Sequence, residues 1–363
     1  MTDTDDILFG HEGGVATVTL NRPQALNAFT LEMYRRFDPV LRGWEDDPEI
    51  HAVLIRGAGE RAFCAGGDVR AIAEAGRGVA GDPRLTSVFF SEEYQLIRRI
   101  HRFAKPYLAI VDGITMGGGA GVSVNGACRI ATEHTMLAMP ETGIGLFPDV
   151  GATRFLNRCP GYVGRYLGLT GARLNAEDAL YCGFATHFVA HDRVDQAVTT
   201  LAGTLRDAKA ERRLIDEMLD RCAVDPGRAP LAALRPAIDR CFAGDTVEAV
   251  LGALTTEAAR GGAHAEWADE TRAALLTKSP TSLKITLRQL TIGRDYDLDA
   301  SLALEYRLTQ QVMAAHDFYE GVRAMLIDRD QKPHWRPATL AEVSEGMIDA
   351  YFAPIGNREL RFT

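Results

Sequence analysis

Glu141 and Asp149 stand eight residues apart in Pro140-Glu141-Thr142-Gly143-Ile144-Gly145-Leu146-Phe147-Pro148-Asp149, a stretch too punctuated by glycine and proline to be a helix. Folded onto one site, two such acids divide acid, base or nucleophilic roles when their surroundings separate their pKa values. The plainer reading is a pair of solvated loop acids or a helix cap. Glu93 is a third acid, on the face that carries Leu96, Ile97 and Ile100. An acid in a first helical turn, however, often only complements the helix dipole.

Two glycine-rich stretches accompany these acids: Ala62-Phe63-Cys64-Ala65-Gly66-Gly67-Asp68 and Gly113-Ile114-Thr115-Met116-Gly117-Gly118-Gly119. Small residues after an apolar run let backbone N–H groups approach a ligand closely. Two such groups converging on one oxygen make an oxyanion hole, and a helix beginning after Gly117-Gly118-Gly119 adds its positive end. The alternative is that the glycines serve tight turns or close packing. Other chemistries fail at specific residues. There is no dinucleotide, P-loop or zincin signature, and Asn125 stands where a nucleophile elbow needs glycine. Ser123 and Cys64 read as small buried packing residues. His51, His134 and His187 show no metal-ligand spacing, so no metal is expected.

The elements that must position these groups alternate in the first half of the chain. Val15–Leu20, Ala52–Ile55 and Tyr107–Val111 read as buried strands. A helix capped by Thr30 buries Tyr34, Phe37 and Leu41 and kinks at Pro39, and a second runs from about Glu92 to Phe103. The stretch from Gly76 to Gly81 is an expected surface loop. Strand, helix, strand order favours an α/β fold. Beyond about residue 190 the pattern turns helical, with Ser279-Pro280 as a helix start. Asp317 is expected to cap a helix that buries Val322, Met325 and Leu326. The expected organisation is an α/β core over 1–190 and a predominantly helical region over 191–363.

Composition bounds the function classes. Lys+Arg 40 against Asp+Glu 49 gives a net charge of −9, which argues against a nucleic-acid or anionic-membrane surface and leaves room for a local basic pocket. Six cysteines without a C-x-x-C pair fit a reducing cytoplasm. The acidic first ten residues do not read as a secretory signal, and no run of eighteen apolar residues occurs.

Together these stretches resemble the crotonase (enoyl-CoA hydratase/isomerase) superfamily. The resemblance begins at Leu20-Asn21-Arg22-Pro23 and continues through FCAGGDV, KPYLAIVDGITMGGGAGV and PETGIGLFPDVGATR to LTGARLNAEDALYCGFATHFV, about residues 10 to 190. It implies a spiral of ββα turns with a C-terminal helical region and a bound acyl-CoA. The thioester carbonyl would be polarised by the N–H groups of Ala65 and Gly118. Gly66, Gly67, Asp68 and Gly117 would line the substrate, and Glu93, Gly118, Glu141 and Asp149 match acyl-contacting positions. The segments MPETGIGLFPDVG, SPTSLKITLRQL, EYRL, DFYEGVRAMLIDRD and PHWRP resemble the subgroup of 3-hydroxyisobutyryl-CoA hydrolases, which act in valine catabolism. No separate cofactor is implied, since coenzyme A is part of the substrate. Homo-oligomers are common in the superfamily, and the longer C-terminal region is able to cover the usual contact surface.

One departure bears on the reaction. Hydratases of the superfamily present a glutamate three residues after the middle glycine of the GGG segment, and here that residue is Gly121. Losing one of two cooperating carboxylates typically costs a factor of about 10²–10⁴ in rate. The resemblance therefore implies thioester hydrolysis, with Glu141 as nucleophile or general base, Asp149 orienting the substrate hydroxyl or water, and Glu93 shaping that polar end. An enoyl-CoA hydratase or isomerase is the alternative, and a non-catalytic acyl-CoA-binding protein the third reading.

Overall fold

In the second half of β1–β9 every odd strand pairs with odd strands and every even one with even strands. The strands are β1 (Ile7–Glu12), β2 (Val15–Leu20), β3 (Ala52–Gly57), β4 (Ala62–Cys64), β5 (Tyr107–Val111), β6 (Ile114–Met116), β7 (Cys128–Ala131), β8 (Met136–Ala138) and β9 (His187–Phe188). One sheet has the order β1-β2-β3-β5-β7-β9 and the other β4-β6-β8. Among the described residues only the β1–β2 strand pair is antiparallel; the other strand pairs run parallel. Each successive strand pair thus gives its longer member to one sheet and its three-residue member to the other where β4, β6 and β8 are concerned. Helices Val69–Gly76 and Gly118–Val124 follow the β3–β4 and β5–β6 pairs. This is the expected ββα repeat. The computed structural model describes residues 5–205 and 212–362.

Strand alternation sets the large sheet's packing, with consecutive buried residues in its central strands β3 and β5. Val15, Ala52, Leu54, Leu108, Ile110, Cys128 and Ile130 point to one face, where Leu201, Leu205, Ile215 and Leu219 meet them. Those partners belong to helices Val194–Leu205 and Arg212–Cys222. Each fully buried Leu or Ile contributes about 1.5–3 kcal/mol, so the face holds its register against a slip that would break this packing.

The chain forms two compact units. The first holds 1–67, 95–138 and 174–230, including the nine strands found among the described residues; the second holds 68–94, 139–173 and 231–363. The boundary expected at residue 190 falls inside a segment of the first unit.

Thr30 caps helix Leu31–Asp46 by accepting the Met33 N–H at 3.2 Å, and the helix continues through Pro39. The second helix spans Leu85–Arg102 and begins seven residues before the expected Glu92. β-Branched and aromatic residues obscure that start, but Phe89 and Phe90 are buried, and their packing overrides weak propensity. Ser279 caps helix Pro280–Ile292 as expected, through the Ser282 N–H at 3.1 Å. Asp317 is not a cap. Its Oδ2 accepts from the Ser279 hydroxyl at 2.6 Å and its Oδ1 from the Arg336 N–H at 2.8 Å, so tertiary donors take up both oxygens. Val322 is buried, whereas Met325 (39%) and Leu326 (40%) are exposed, because the helix widens into a π-turn at Arg323–Ile327 that carries them outward.

Candidate active site

In the first unit, the two glycine stretches follow neighbouring parallel strands. Cys64 of β4 pairs with Thr115 of β6, so Ala65-Gly66 and Gly117-Gly118 leave the same edge of the small sheet side by side. Gly66 has φ +107°, and a Cβ there would stand 3.3 Å from the Met116 carbonyl oxygen and 3.5 Å from the Gly118 nitrogen. A Cβ on Gly119 would stand 2.3 Å from the Cys64 carbonyl oxygen. The packing role of glycine is therefore real at Gly119. At Gly66 the missing side chain keeps the Gly118 N–H uncovered.

Gly118 opens helix Gly118–Val124, and an N–H in the first helical turn has no acceptor inside the helix. Ala65 differs, because its N–H donates to the Leu26 carbonyl at 2.9 Å. Gly117 reaches φ +49° to turn the chain into the helix. Gly67 forms a bridge with Phe29. Gly121 is buried in the same helix, and its N–H donates to the Gly117 carbonyl at 3.0 Å. Cys64 and Ser123 are buried, the latter donating to the Gly119 carbonyl at 2.7 Å.

The acids belong to the second unit. Asp68 caps helix Val69–Gly76 by accepting the Ala71 N–H at 3.2 Å, which gives it a structural task. Glu93 lies within helix Leu85–Arg102 rather than in its first turn, and is buried. Glu141 begins the 3₁₀ turn Glu141–Ile144, which ends at Gly145 with φ +72°. A Cβ on Gly145 would stand 2.2 Å from the Asp317 carbonyl oxygen, so only glycine lets this turn close. The Thr142 hydroxyl donates to the Leu169 carbonyl at 3.0 Å and fixes the turn from the other side. Glu141 itself is buried, and its Oε2 has no hydrogen-bond partner. Burial first, then the nearby charges of Asp149 and Glu93, push its pKa well above the usual carboxylate value.

Asp149 is also buried, and burial lifts its pKa to about 6 against the opposing hydrogen bond from Tyr94, whose hydroxyl donates to Oδ2 at 2.6 Å. Behind Asp149 the backbone is strained, since Val150 has φ +58°, rare for a β-branched residue. Two helices hold that turn. From Leu298–Val312, the Glu305 carboxylate accepts the Gly151 N–H at 2.7 Å, the Thr153 N–H at 2.8 Å and the Thr153 hydroxyl at 2.7 Å. From Pro280–Ile292, Gln289 donates to the Pro148 carbonyl at 2.7 Å and to the Thr153 hydroxyl at 2.8 Å. Glu305 is fully buried, and the cost of burying its charge outweighs those donors, leaving its pKa at about 8. Half-buried Lys278 places Nζ 3.4 Å from where a Cβ on Gly143 would stand, and burial pulls its pKa below the ordinary lysine value.

Sequence reasoning missed Tyr94, Thr153, Gln289 and Glu305. A signal exists for Glu305: it continues the buried stripe Leu298, Ser301, Leu302, Thr309 and Val312, where an acid has no place unless something receives it.

A buried acid set and an open helix N-terminus after a glycine turn invite comparison with acyl-CoA enzymes. The family model described as enoyl-CoA hydratase/isomerase matches residues 15–352. The chain belongs to the enoyl-CoA hydratase/isomerase family. Its curated relatives include 3-hydroxyisobutyryl-CoA hydrolase, mitochondrial, from Danio rerio, 47% identical over 98% of this chain and 91% of that protein. The Homo sapiens protein of the same name is 42% identical over 99% and 91%. Among solved structures, a carnitinyl-CoA dehydratase from Mycobacterium thermoresistibile is 41% identical, with a TM-score of 0.90 over 99% of both chains. An enoyl-CoA hydratase from Rhodobacter sphaeroides is 37% identical, with a TM-score of 0.87 over 99% of this chain and 100% of that one. Members of the family at this similarity thus carry both hydrolase and hydratase names, and the expected crotonase-like α/β fold is matched over 99% of the chain. Among the described residues no helix is long and apolar enough to cross a membrane.

Proposed function

We propose that this chain hydrolyses short 3-hydroxyacyl-CoA thioesters, 3-hydroxyisobutyryl-CoA first among them, releasing 3-hydroxyisobutyrate and coenzyme A as in valine catabolism. The observation that carries the reading is the lone, buried Oε2 of Glu141, combined with Gly121 where a second glutamate would be needed to handle water for hydration. The hydrolase names of the relatives support it.

In this reading the thioester carbonyl accepts the Gly118 N–H, the donor that the glycine turn leaves open. Ala65 serves as a second donor only by sharing the hydrogen it gives to Leu26. Ionised Glu141 attacks the carbonyl carbon; the C–S bond breaks, coenzyme A leaves as thiolate, and an acyl-enzyme anhydride remains. Water then splits the anhydride, giving the 3-hydroxy acid and restoring Glu141. The same residue acting as base on water gives the same products in one step. Asp149, held by Tyr94, orients the substrate hydroxyl or water, and Glu93 shapes the polar end. A buried carboxylate matched to a hydroxyl rejects acyl groups that lack one. Substrate is the partner in this reading, with no nucleic acid or membrane surface and with coenzyme A as no resident cofactor. A homo-oligomer and a reducing, cytoplasmic setting complete it; the word mitochondrial belongs to the relatives' names.

The test compares thiol release from 3-hydroxyisobutyryl-CoA with hydration of crotonyl-CoA by the purified chain. Specificity for thiol release is expected to exceed that for hydration, and the reverse order would overturn the reading.

A further inference from the structure

Parallel strands finish at a common edge, and in the large sheet this brings together side chains that are far apart in sequence. Val111 of β5 pairs with Ala131 of β7, which pairs with Phe188 of β9. Asp112 follows the first strand, His134 lies in the turn after the second, and His191 lies just past the third. Their ligand atoms all fall within 4.8 Å of one another. We propose that Asp112, His134 and His191 form a surface site for a divalent transition-metal ion, with zinc the best match.

The donor set is two imidazole nitrogens and one carboxylate, which suits zinc and leaves a fourth position for water. The His134 Nδ1 stands 3.3 Å from Asp112 Oδ1, and the His191 Nδ1 stands 2.8 Å from Asp112 Oδ2. Ligands at about 2.0–2.1 Å from a tetrahedral zinc lie about 3.4 Å apart, so the His134 pair already spans such an edge, while His191 meets the other Asp112 oxygen and a turn of the carboxylate is needed to present one oxygen to both imidazoles. The imidazole rings lie 4.4 Å apart between centroids, close enough to share one ion.

Outer contacts orient the ligands, as built metal sites require. The Thr132 hydroxyl donates to Asp112 Oδ1 at 2.5 Å, and the His191 backbone N–H donates to Glu133 Oε2 at 2.9 Å. The histidines are about half exposed, so an ion reaches them directly from solvent. Binding would staple the ends of β5, β7 and β9. Asp112 also immediately precedes Gly113 and β6, the strand that leads to Gly117 and Gly118. The ion's effect is therefore on the rigidity of that connection and on stability, with no part in bond breaking.

The experiment titrates Zn²⁺ calorimetrically into the chelator-treated full chain and into the double variant His134→Ala/His191→Ala, with circular dichroism on both. One ion per chain is expected for the wild type, with affinity at least about 100-fold weaker in the double variant, since two of three ligands are gone. Zinc should raise the thermal midpoint of the wild type alone. Co²⁺ binding to the wild type gives a second readout that needs no variant: visible bands without thiolate charge transfer support the site. Absence of wild-type binding, equal binding by a folded double variant, or a thiolate band that assigns the ion to cysteine would each overturn it.

Discussion

The Tyr94 hydroxyl donates to Asp149 Oδ2 at 2.6 Å, and both residues are buried. A phenol whose own ionisation is suppressed by burial and by Asp149 is a donor at every working pH, so it fixes which oxygen of Asp149 remains for substrate. Tyr94→Phe removes the donor while keeping the ring. Thiol release should fall about tenfold or more, with the acid limb of its pH profile moved upward, because the Asp149 carboxylate loses the contact that lowers its pKa. An unmoved acid limb would dissociate Tyr94 from the reaction.

Glu141→Gln keeps the side chain's shape and removes the reactive carboxylate. Turnover should fall by about 10²–10⁴ while binding of a substrate thioester, followed by calorimetry, survives. Glu141 is held well above the usual carboxylate range and Asp149 at about 6, so the wild-type acid limb should lie near pH 6 or higher. A limb near pH 4 would show that neither acid controls the rate.

Asp149 also makes a stability prediction of definite sign. Its ordinary pKa is 3.8 and its folded value about 6, so between those values the native state binds the extra proton and stability declines as pH rises. Above about pH 6 the loss is complete. Asp149→Asn, which removes the buried charge but leaves an acceptor for Tyr94, should be more stable than wild type at pH 8 by on the order of 1–3 kcal/mol, with the gap closing towards pH 4. Chemical denaturation at both pH values measures it. The same variant should lose more specificity for 3-hydroxyacyl thioesters than for matched acyl thioesters without the hydroxyl.

Gly118→Pro tests the backbone donor. Gly118 is the first residue of its helix, a position where proline is tolerated, so the fold should survive the loss of the N–H. Activity should drop by about 10²–10³. Full activity in a folded variant would remove Gly118 from the oxyanion hole.

Thr153→Val replaces a hydroxyl that accepts from Gln289 and donates to Glu305 with a methyl of nearly equal size. Leaving those two buried groups short of a partner should cost about 2–4 kcal/mol, read by urea denaturation. Because the strained turn at Val150 depends on that network, kcat should fall more than KM rises.

Much of this was legible in the residues. The strands Val15–Leu20, Ala52–Ile55 and Tyr107–Val111 stand out because long apolar runs advertise themselves, and the Thr30 and Ser279 caps are local chemistry. Three-residue strands such as β4 and β6 carry too few side chains to show a period. The acids Glu93, Glu141 and Asp149 could be named from their stretches, yet the Leu26 carbonyl that engages Ala65 and the donors around Glu305 are tertiary partners, set by where strands and helices meet. His134 and His191 are 57 residues apart, a spacing that no ligand pattern would flag; parallel strand ends make them neighbours.

The chain passes between its two compact units five times, at 67/68, 94/95, 138/139, 173/174 and 230/231. Neither unit is a continuous stretch of polypeptide, and the helix Leu85–Arg102 belongs partly to each. A gene fragment ending at any single point therefore leaves at least one unit without part of its sequence, and the two cannot be exchanged between relatives as cassettes.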